Sequence, residues 1–351
     1  MNRFDYIQPQ TLAEAVIAGA QPGAAYLAAG TNLVDLMKVG AMRPERLVDI
    51  TRLPGLDTIE VLPDGGVRIG ALVRNADLAH DPDFAGRYPV VAEALLSGAS
   101  AQLRNAATAG GNLMQRTRCH FFQDPTSPCN RRNPGAGCSA IGGDTRSHAI
   151  LGHSKTCIAT HPSDFCVPLV ALGAVVEIEG ADGRREVPLE DFHRLPGDTP
   201  DRETVLSPGE LVTAVRLPGE ATAFGAHSRY LKLRDRTSFA FALVSVAAAL
   251  RIEDARIVDA RIALGGVAAK PWRAHEAEAV LTGAEPGLDV FAEAAAAALA
   301  EARPVGDNGF KIDLARRLVA RALSQAAAGT PDRVAALPGS IFTPAGGLAH
   351  A

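Results

Sequence analysis

The feature that most constrains this chain is the segment 116–160, in which no helical or strand period is visible. It begins RTRCHFFQDPTSPCNRRNPGAGC and is rich in proline, glycine, asparagine and serine. Irregular connections of this length are uncommon inside a folded protein, and they are usually functional or disordered. Four of the 5 cysteines of the chain lie in it, which favours a function. The fold must therefore place ordered segments before and after one long irregular segment that binds something.

The four cysteines are spaced C-x9-C-x8-C-x18-C, at Cys119, Cys129, Cys138 and Cys157. Thiolates are favoured ligands of zinc and of iron–sulfur clusters, and four of them satisfy either. Zinc sites normally take two ligands from one CxxC turn, and this sequence has no such pair. A [4Fe-4S] cluster is wider and can be held by separate points on a wrapping loop, so the spacing favours it. Zinc, free thiols and disulfides remain alternatives, although 5 cysteines leave one unpaired in an all-disulfide scheme.

Residues around the cysteines are compatible with a buried group that carries negative charge. The glycines of NPGAGC leave backbone N–H groups free to approach inorganic sulfurs. Cys166 differs from the other cysteines because it lies in the apolar helical stretch DFCVPLVAL, where a buried structural cysteine is expected. The arginines that would offset the charge of a cluster are Arg116, Arg118, Arg131 and Arg132. The nearby histidines that we expect to form hydrogen bonds rather than bind metal are His120, His148, His153 and His161.

Composition argues against several other functions. The chain has 351 residues, a net charge of −4 and a pI of about 6.2, without the concentrated basic face of a nucleic-acid-binding protein. Its longest apolar runs, such as FAFALVSVAAAL, are too short to span a bilayer. The N-terminus has no basic segment followed by an apolar run, so we expect no secretory signal. These patterns predict a soluble protein that binds neither nucleic acid nor membrane.

Periodicity divides the chain into an α/β part and a C-terminal region. The first part begins with alternating strands and helices, and Thr11 is the predicted N-cap of the first helix. A hairpin and two helices precede the cysteine-rich segment, and a helix and further strands follow it. A boundary near 216–225 precedes a sheet and alanine-rich helices. The expected domains are 1–220, with subdomains of about 1–55 and 56–220 and the insert 116–160, then 221–329, and a poorly ordered extension at 330–351.

Two glycine turns are candidates for binding a diphosphate. The stretch AAGTNLVDLMK is a strand, a turn of small residues and a helix, and ATAGGNL is a second turn of the same kind. Such turns offer several backbone N–H groups to an anion. Neither is the GxGxxG fingerprint of a Rossmann fold. For each turn taken alone, tight packing is the simpler explanation.

Four stretches taken together resemble the FAD-binding medium subunit of the xanthine dehydrogenase/molybdenum hydroxylase family. They are AAGTNLVDLMK, LRNAATAGGNL, THPSDF and YLKLRDRTSFAFALVSVA, in order, and the resemblance continues to about residue 325. The cysteine insert is similar to a subset that carries an extra [4Fe-4S] cluster, found in bacterial periplasmic aldehyde oxidoreductases and in 4-hydroxybenzoyl-CoA reductase. The match is closest to the aldehyde oxidoreductase type, through RIGALVRNADLA, GASAQLRN and ALGGVAAKPWR.

The resemblance implies an α+β fold in which two subdomains, similar to those of vanillyl-alcohol oxidase, hold FAD between them. A C-terminal domain with a three-stranded antiparallel sheet and helices would follow. It also implies a heterotrimer, in which a large subunit with a molybdenum cofactor oxidises an aldehyde. A small subunit with two [2Fe-2S] clusters would pass electrons to the FAD of this chain, and from there to the final acceptor. No catalytic acid or base is therefore expected in this chain.

The resemblance also implies roles for single residues. The first turn would wrap the FAD diphosphate, and Ala29 stands where many members have glycine. Asp164 would bind the adenosine portion, and Lys232 would lie near the flavin ring. The residues implied for the first turn are Ala28, Ala29, Gly30, Thr31, Asn32, Leu33 and Val34, and those for the second are Thr108, Gly110, Gly111, Asn112 and Gln115.

The sequence also leaves two alternative functions open and implies a cellular location. The chain is alternatively the medium subunit of a cytoplasmic 4-hydroxybenzoyl-CoA reductase-like enzyme, in which electrons run the other way, or a flavin-free zinc-binding protein. The periplasmic relatives travel folded with a signal-bearing partner, so the resemblance implies the periplasm, with the cytoplasm as the alternative. Because the family's ordinary electron path needs no [4Fe-4S] cluster, we expect a structural or auxiliary role for it.

Overall fold

The computed structural model describes residues 1–331. The extension predicted at 330–351 lies outside the described residues except for its first two. Among residues 1–331, no helix combines the length and the apolar character needed to cross a membrane.

The N-terminal part is a three-stranded parallel sheet in the order β1-β3-β2, flanked by two helices. Thr11 caps the first helix as predicted, since its Oγ1 accepts from the backbone N of Glu14 at 3.2 Å. The elements are β1 (Asp5–Ile7), α1 (Leu12–Gly19), β2 (Ala24–Leu27), α2 (Leu33–Lys38) and β3 (Arg46–Asp49).

The middle part is a five-stranded antiparallel sheet in the order β4-β5-β8-β6-β7, with helices packed against it. Its strands are β4 (Ile59–Val61), β5 (Val67–Gly70), β6 (Val175–Gly180), β7 (Gly183–Pro188) and β8 (Leu211–Leu217). Its helices are α3 (Asn75–His80), α4 (Pro82–Arg87), α5 (Pro89–Ser97), α6 (Ala101–Ala106), α7 (Ala109–Leu113), α8 (His120–Gln123), α9 (Cys166–Ala171) and α10 (Leu189–Phe192).

The prediction of two helices between the hairpin and Ser100 was wrong in number, since α3, α4 and α5 lie there before α6 begins. Pro82 and Pro89 each start a new helix, because proline lacks the N–H that would continue the preceding one. Asp81 caps α4 by accepting from the backbone N of Phe84 at 2.7 Å. The breaks therefore follow from chemistry that is visible in the sequence.

The C-terminal part is an antiparallel sheet in the order β12-β11-β10-β9, covered by three helices. It has the three long strands expected and a fourth of only two residues, and the α+β class is confirmed. A 3₁₀ helix, Gly219–His227, leads into this part at the predicted boundary. The elements are β9 (Ser228–Leu233), β10 (Val244–Glu253), β11 (Arg256–Gly265), β12 (Trp272–Arg273), α11 (His275–Leu281), α12 (Leu288–Ala297) and α13 (Phe310–Ala327).

The C-terminal sheet takes part in both large hydrophobic cores. Tyr230 and Ala247 belong to the core of the middle part, whereas Val246 and Ala248 pack with helices α11 to α13. Because neighbouring residues of β10 point to opposite faces, the sheet is buried on both sides. This position brings residues of β9 against the middle part, where the candidate site lies.

The insert 116–160 contains one short helix, α8, and otherwise turns and bends. Its far end is anchored in the C-terminal core by Ile150 and Leu151, both almost fully buried. Their backbone N–H groups donate to the carbonyl of Val267 at 2.9 and 3.0 Å. Lys311 of α13, with no exposed surface, donates to the carbonyls of His148 and Gly266 at 2.7 and 2.6 Å. The insert is therefore ordered by its contacts, with little regular structure of its own.

Candidate functional site

Two cavities open on either side of the two glycine turns. Cavity A, of about 440 Å³, lies between the N-terminal sheet and the middle part. Cavity B, of about 360 Å³, lies between the middle part and strand β9. The residues that line both are Thr31, Asn32, Gly111 and Gln115. The two turns thus form the junction between two chambers, as an elongated ligand with a central anionic group requires.

The first turn is shaped by Gly30. Its φ of +74° favours glycine, and a Cβ there would lie 2.8 Å from Cγ2 of Val34. The predicted residues from Ala28 to Leu33 all line cavity A. Val34 lines neither cavity A nor cavity B and packs beside Gly30 instead, so its contribution is to the turn and not to the cavity wall.

The second turn packs tightly on the middle sheet. A Cβ at Gly110 would lie 2.8 Å from Cβ of Ala71, and the backbone N of Gly110 donates to the carbonyl of Ala71 at 2.8 Å. A Cβ at Gly111 would meet only Thr108 Oγ1, at 3.0 Å, so this position faces open space. Asn112 Oδ1 accepts from Gln115 Nε2 at 2.6 Å, which fixes both side chains at the edge of the turn. The predicted residues of this turn therefore lie together at the junction.

Asn32 connects the first turn to the start of the insert. Its Oδ1 accepts from the backbone N of Arg116 at 2.9 Å. Its Nδ2 is buried without a hydrogen-bond partner among the described residues. A buried donor without a partner is costly, and a bound acceptor removes that cost. The amide therefore fits the anionic centre of a ligand placed between the turns.

Asp164 and Lys232 form a buried ion pair on the wall of cavity B. Lys232 Nζ donates to Asp164 Oδ2 at 2.7 Å and to the carbonyl of Ser97 at 3.2 Å, and the lysine side chain is only 3% exposed. Tyr230 donates to Asp164 Oδ1 at 2.6 Å. The resemblance implied that Asp164 and Lys232 bind opposite ends of the flavin cofactor. The structure brings the two side chains into direct contact on the wall of cavity B, so a ligand there meets them as a pair.

Two histidines line cavity A, and of these the sequence singled out His161, as a hydrogen-bonding residue, but not His193. His193 Nε2 donates to the carbonyl of Leu113 at 2.9 Å, which leaves the Nδ1 lone pair free. His193 Nδ1 and His161 Nε2 are buried without partners among the described residues. Burial lowers the pKa of His193 to about 4 and that of His161 well below its ordinary value. Both rings are therefore neutral, and their free nitrogens are suited to a polar ligand in cavity A.

Cys166 is fully buried, as predicted, and its sulfur lies within 4.8 Å of ligand nitrogens of both histidines. Burial raises the pKa of its thiol to about 12, so it is uncharged. Tertiary folding alone brings these three residues together, since His193 directly follows helix α10, whereas His161 precedes helix α9 and Cys166 begins it. The sequence carried no signal for this grouping.

All five cysteines in residues 1–331 are free thiols, which excludes disulfide staples among them. Backbone N–H groups act on the sulfurs of the insert. Those of Phe121 and Phe122 lower the pKa of Cys119, and those of Ala140, Ile141 and Ile158 lower the pKa of Cys138, although burial raises both pKa values by more. The backbone N of Ala159 lies 3.5 Å from Cys157 Sγ. Such donors stabilise negative charge on sulfur and are characteristic surroundings of metal-bound thiolates.

The four cysteines of the insert lie close together. Cys129 and Cys138 form an isolated antiparallel bridge, Cys119 interacts electrostatically with Cys129 and Cys157, and Cys138 with Cys157. Among these described residues, however, no three sulfurs lie within 4.8 Å of one another. A tetrahedral zinc ion with Zn–S bonds near 2.3 Å would hold them about 3.8 Å apart. The sulfurs are thus farther apart in this structure than a bound zinc ion would hold them.

The protonation state of the thiols in the insert depends on whether they bind a metal cation. Burial raises the pKa of Cys119 to about 11, and burial also raises the pKa of Cys138. His148 Nε2 lies 3.2 Å from Cys119 Sγ, and its Nδ1 is buried without a partner in the described part of the chain. Without a cation these thiols stay neutral at pH 7, whereas metal binding removes their protons.

Of the four arginines predicted to offset a cluster, Arg131 is the most buried, with 5% of its surface exposed. Its Nη1 lies 2.8 Å from Glu203 Oε2. Arg132 donates instead to the carbonyls of Phe121 and Phe122 at 3.0 and 2.7 Å. The other two also form ion pairs, Arg116 with Glu203 and Arg118 with Asp35.

A third cavity, cavity C, lies beside Cys119 and shares wall residues with cavity B. It has a volume of about 440 Å³ and lies between the insert and the loop after strand β9. Cys119 and His148 line it on one side and Asp164 and Phe241 on the other, and the last two also line cavity B. The cysteine cluster and the glycine turns are therefore neighbouring parts of one region.

Two family models match this chain. One is described as the FAD binding domain in molybdopterin dehydrogenase and matches residues 2–220. The other is described as the CO dehydrogenase flavoprotein C-terminal domain and matches residues 229–326. Together they account for almost all of the described residues.

Curated relatives and solved structures agree with these matches. The aldehyde oxidoreductase FAD-binding subunit PaoB of Escherichia coli K12 is 49% identical over 331 residues, which cover 93% of this chain and 99% of the relative. The carbon monoxide dehydrogenase medium chain of Hydrogenophaga pseudoflava is 29% identical, over 92% of this chain and 97% of the relative. A solved structure of the carbon monoxide dehydrogenase of that organism aligns with a TM-score of 0.73 at 30% identity, covering 93% and 98% of the two chains.

Proposed function

Because this chain belongs to the FAD-binding medium subunits of the xanthine dehydrogenase and CO dehydrogenase family, we propose a specific role for it. It is the electron-transfer subunit of a heterotrimeric molybdenum aldehyde oxidoreductase and carries one FAD and one [4Fe-4S] cluster. The observation that supports the flavin part most directly is the pair of glycine turns between cavities A and B. A flavin dinucleotide has the matching shape, with a diphosphate between two bulky ends.

In this proposal the two turns bind the diphosphate through backbone N–H groups and the Asn32 amide. Cavity A, with the free nitrogens of His161 and His193, holds the adenosine end. Cavity B holds the flavin ring, where Lys232 supplies a buried positive charge and Asp164 orients it. FAD supplies the redox chemistry, and the part played by these residues is binding and orientation.

The four cysteines of the insert are the proposed ligands of the [4Fe-4S] cluster, which supplies one-electron redox chemistry when bound. Their support is the wide spacing of the sulfurs and the backbone N–H groups acting on them. We assign the cluster a structural or auxiliary role, since the insert has little regular structure without it. A large molybdenum-cofactor subunit and a small subunit with two [2Fe-2S] clusters are the proposed partners.

The experiment for this role is an anaerobic reaction of the purified complex with an aromatic aldehyde, followed by visible absorbance. The expected result is bleaching of the flavin band of this subunit, at a rate comparable with turnover. A complex that turns over aldehyde while its flavin stays oxidised would contradict the proposed electron path. Reduction of an aromatic acyl-CoA in place of aldehyde oxidation would instead support the 4-hydroxybenzoyl-CoA reductase-like alternative.

The proposed location is the periplasm, reached by co-export with a signal-bearing partner. This proposal rests on the resemblance of the insert to that of periplasmic aldehyde oxidoreductases. Fractionation of cells that express all three subunits tests it. Recovery of this chain in the cytoplasmic fraction, with the partners present, would contradict it.

A further inference from the structure

Three side chains with metal-ligating atoms meet at the wall of cavity A. They are those of His161, Cys166 and His193, and the ligand atom of each lies within 4.8 Å of the other two. In residues 1–331, no other group of three or more histidine, cysteine or carboxylate side chains meets this condition. Cys166 and His193 are buried and His161 is half-buried, so the fold encloses the group.

Two ring nitrogens of this group have no hydrogen-bond partner among the described residues. His193 Nε2 donates to the carbonyl of Leu113 at 2.9 Å, so the buried Nδ1 of the same ring keeps a free lone pair. His161 Nε2 is also buried without a partner. A histidine that binds a metal through one nitrogen characteristically donates from the other to a backbone carbonyl or a carboxylate. His193 already has this arrangement.

The ring of His161 is free to present Nε2 as a ligand. The backbone N of Ser163 lies 3.4 Å from its Nδ1, and a hydrogen bond of that length is too weak to hold the ring in one tautomer. The backbone N of His161 donates to the carbonyl of Ala268 at 2.9 Å, which fixes the position of the residue. Burial lowers the pKa of His161 well below its ordinary value, so the ring is neutral at pH 7 and its lone pair is available to a cation.

Cys166 supplies the sulfur of the group. Its backbone N donates to Ser163 Oγ at 3.2 Å at the start of helix α9, which fixes where the side chain begins. Burial raises the pKa of the thiol, so a metal ion that binds there must displace the thiol proton. This requirement selects a cation with high affinity for thiolate, and it favours zinc over magnesium or calcium, which prefer oxygen ligands.

We propose that His161, Cys166 and His193 form a binding site for a thiophilic divalent cation such as zinc. Two imidazole nitrogens and one thiolate supply three of the four ligands of a tetrahedral zinc ion. The fourth position lies towards cavity A, which both histidines line, and takes a water molecule. Zinc bonds of about 2.0 Å to nitrogen and about 2.3 Å to sulfur place the three ligand atoms about 3.3 to 3.6 Å apart. The side chains therefore close by no more than about 1.5 Å when the ion binds.

This metal site shares its histidine nitrogens with the proposed FAD site. The proposed function places the adenosine end of FAD in cavity A, against the free nitrogens of His161 and His193. A zinc ion bound to those nitrogens removes both contacts from FAD, so zinc and FAD exclude each other. The exclusion rests on the proposed function, whereas the binding of the metal does not.

The first experiment titrates the purified complex with Co²⁺ after its FAD has been removed, because cobalt bound to thiolate absorbs visible and near-ultraviolet light. Cys166→Ala and His193→Gln are each expected to bind one cobalt ion fewer per chain than the wild type. Iron is measured on the same samples, so that any cobalt bound by the insert is the same in all of them. His275→Gln is the matched control, since His275 is exposed and pairs with Glu190 at 2.9 Å, and it is expected to bind as much cobalt as the wild type.

The second experiment measures the affinity of the same complex for FAD at increasing concentrations of Zn²⁺. In the wild type, the apparent Kd for FAD is expected to rise about tenfold when zinc is present at about ten times its own Kd. Cys166→Ala keeps both histidines but lacks the thiolate. It is expected to bind FAD normally and to show no rise over this range of zinc concentrations.

A loss of one cobalt ion in both variants, with unchanged iron, supports the metal site, and if one variant does not fold the other decides alone. Equal cobalt binding by the wild type and Cys166→Ala overturns it. Zinc binding that leaves the affinity for FAD unchanged refutes the shared position of zinc and FAD. A wild type that binds no FAD even without zinc contradicts the proposed function instead, and the cobalt titration still decides the metal site.

Discussion

Cavities A and B and the cysteine insert lie side by side but are built in different ways. Cavities A and B lie between sheets and helices, and their central turns offer backbone groups fixed by neighbouring strands. The insert has one short helix and presents cysteine side chains from turns. The difference teaches that cavities A and B are formed by regular elements of the fold, whereas the proposed cluster site depends on an irregular segment held by side-chain contacts.

The contacts within the insert support this view. Arg132 and Lys311 donate to backbone carbonyls of the insert, and Asn130 Nδ2 donates to the carbonyl of Thr156 at 3.0 Å. Side chains thus satisfy backbone groups that a sheet or helix would otherwise satisfy. Such a segment has few regular hydrogen bonds to hold it when a central ligand is lost.

The largest expected effect on FAD binding comes from a side chain at the junction of the cavities. Gly111→Val leaves the packing on the middle sheet intact but fills the junction, so FAD affinity falls by about 100-fold, or roughly 2.7 kcal/mol. The affinity is measured from the quenching of FAD fluorescence when FAD binds to the protein. Gly86→Ala, in helix α4 with no atom within 4 Å of the new Cβ, is the control and binds FAD normally. Unchanged affinity in Gly111→Val would exclude the turns as the diphosphate site.

The largest expected effect on stability comes from the ion pair of cavity B. Lys232→Met leaves the Asp164 carboxylate buried without its cation, which lowers the free energy of unfolding by about 3 kcal/mol. Combining it with Asp164→Asn restores part of the loss, since no charge then remains unpaired. Urea unfolding measures the free energy of unfolding of the single and the double variant. Arg146→Gln breaks an exposed pair in the insert and is expected to cost less than about 1 kcal/mol. Equal losses at the two pairs would contradict the buried arrangement.

A smaller effect is the response of each region to acid. Burial lowers the pKa of His193, in cavity A, and of His148, in the insert, to about 4 from 6.5. Between these values the unfolded chain binds more protons than the folded chain, so the free energy of unfolding falls as pH decreases from 6.5 towards 4. Each histidine contributes on the order of 1 kcal/mol per pH unit.

Urea unfolding between pH 7 and pH 5 measures this response for each region separately. His193→Gln and His148→Gln are each expected to reduce the pH dependence, because each removes one buried base. A wild type whose stability does not change over this range would show that neither ring is held neutral by the fold.

The sequence predicted the parts of the fold and of the candidate site that depend on local chemistry. The cap at Thr11 and the turn at Gly30 follow from short-range preferences, and the cysteines of the insert were recognisable from their number and spacing. It did not predict the pairing of Asp164 with Lys232, because one residue precedes helix α9 and the other lies on β9. The position of Arg131 among four similar arginines likewise depends on tertiary contacts.

The central claim is that the FAD site and the cluster site form independently of each other. Its most direct test is the content of flavin and iron in the wild type and in Cys129→Ser. The predicted wild type carries one FAD and four iron atoms per chain. Cys129→Ser is predicted to lose the iron, keep the FAD, and become sensitive to protease in the insert, whereas Cys166→Ala keeps both groups. A wild type that contains zinc without iron, or a Cys129→Ser variant that loses FAD together with iron, would contradict this account.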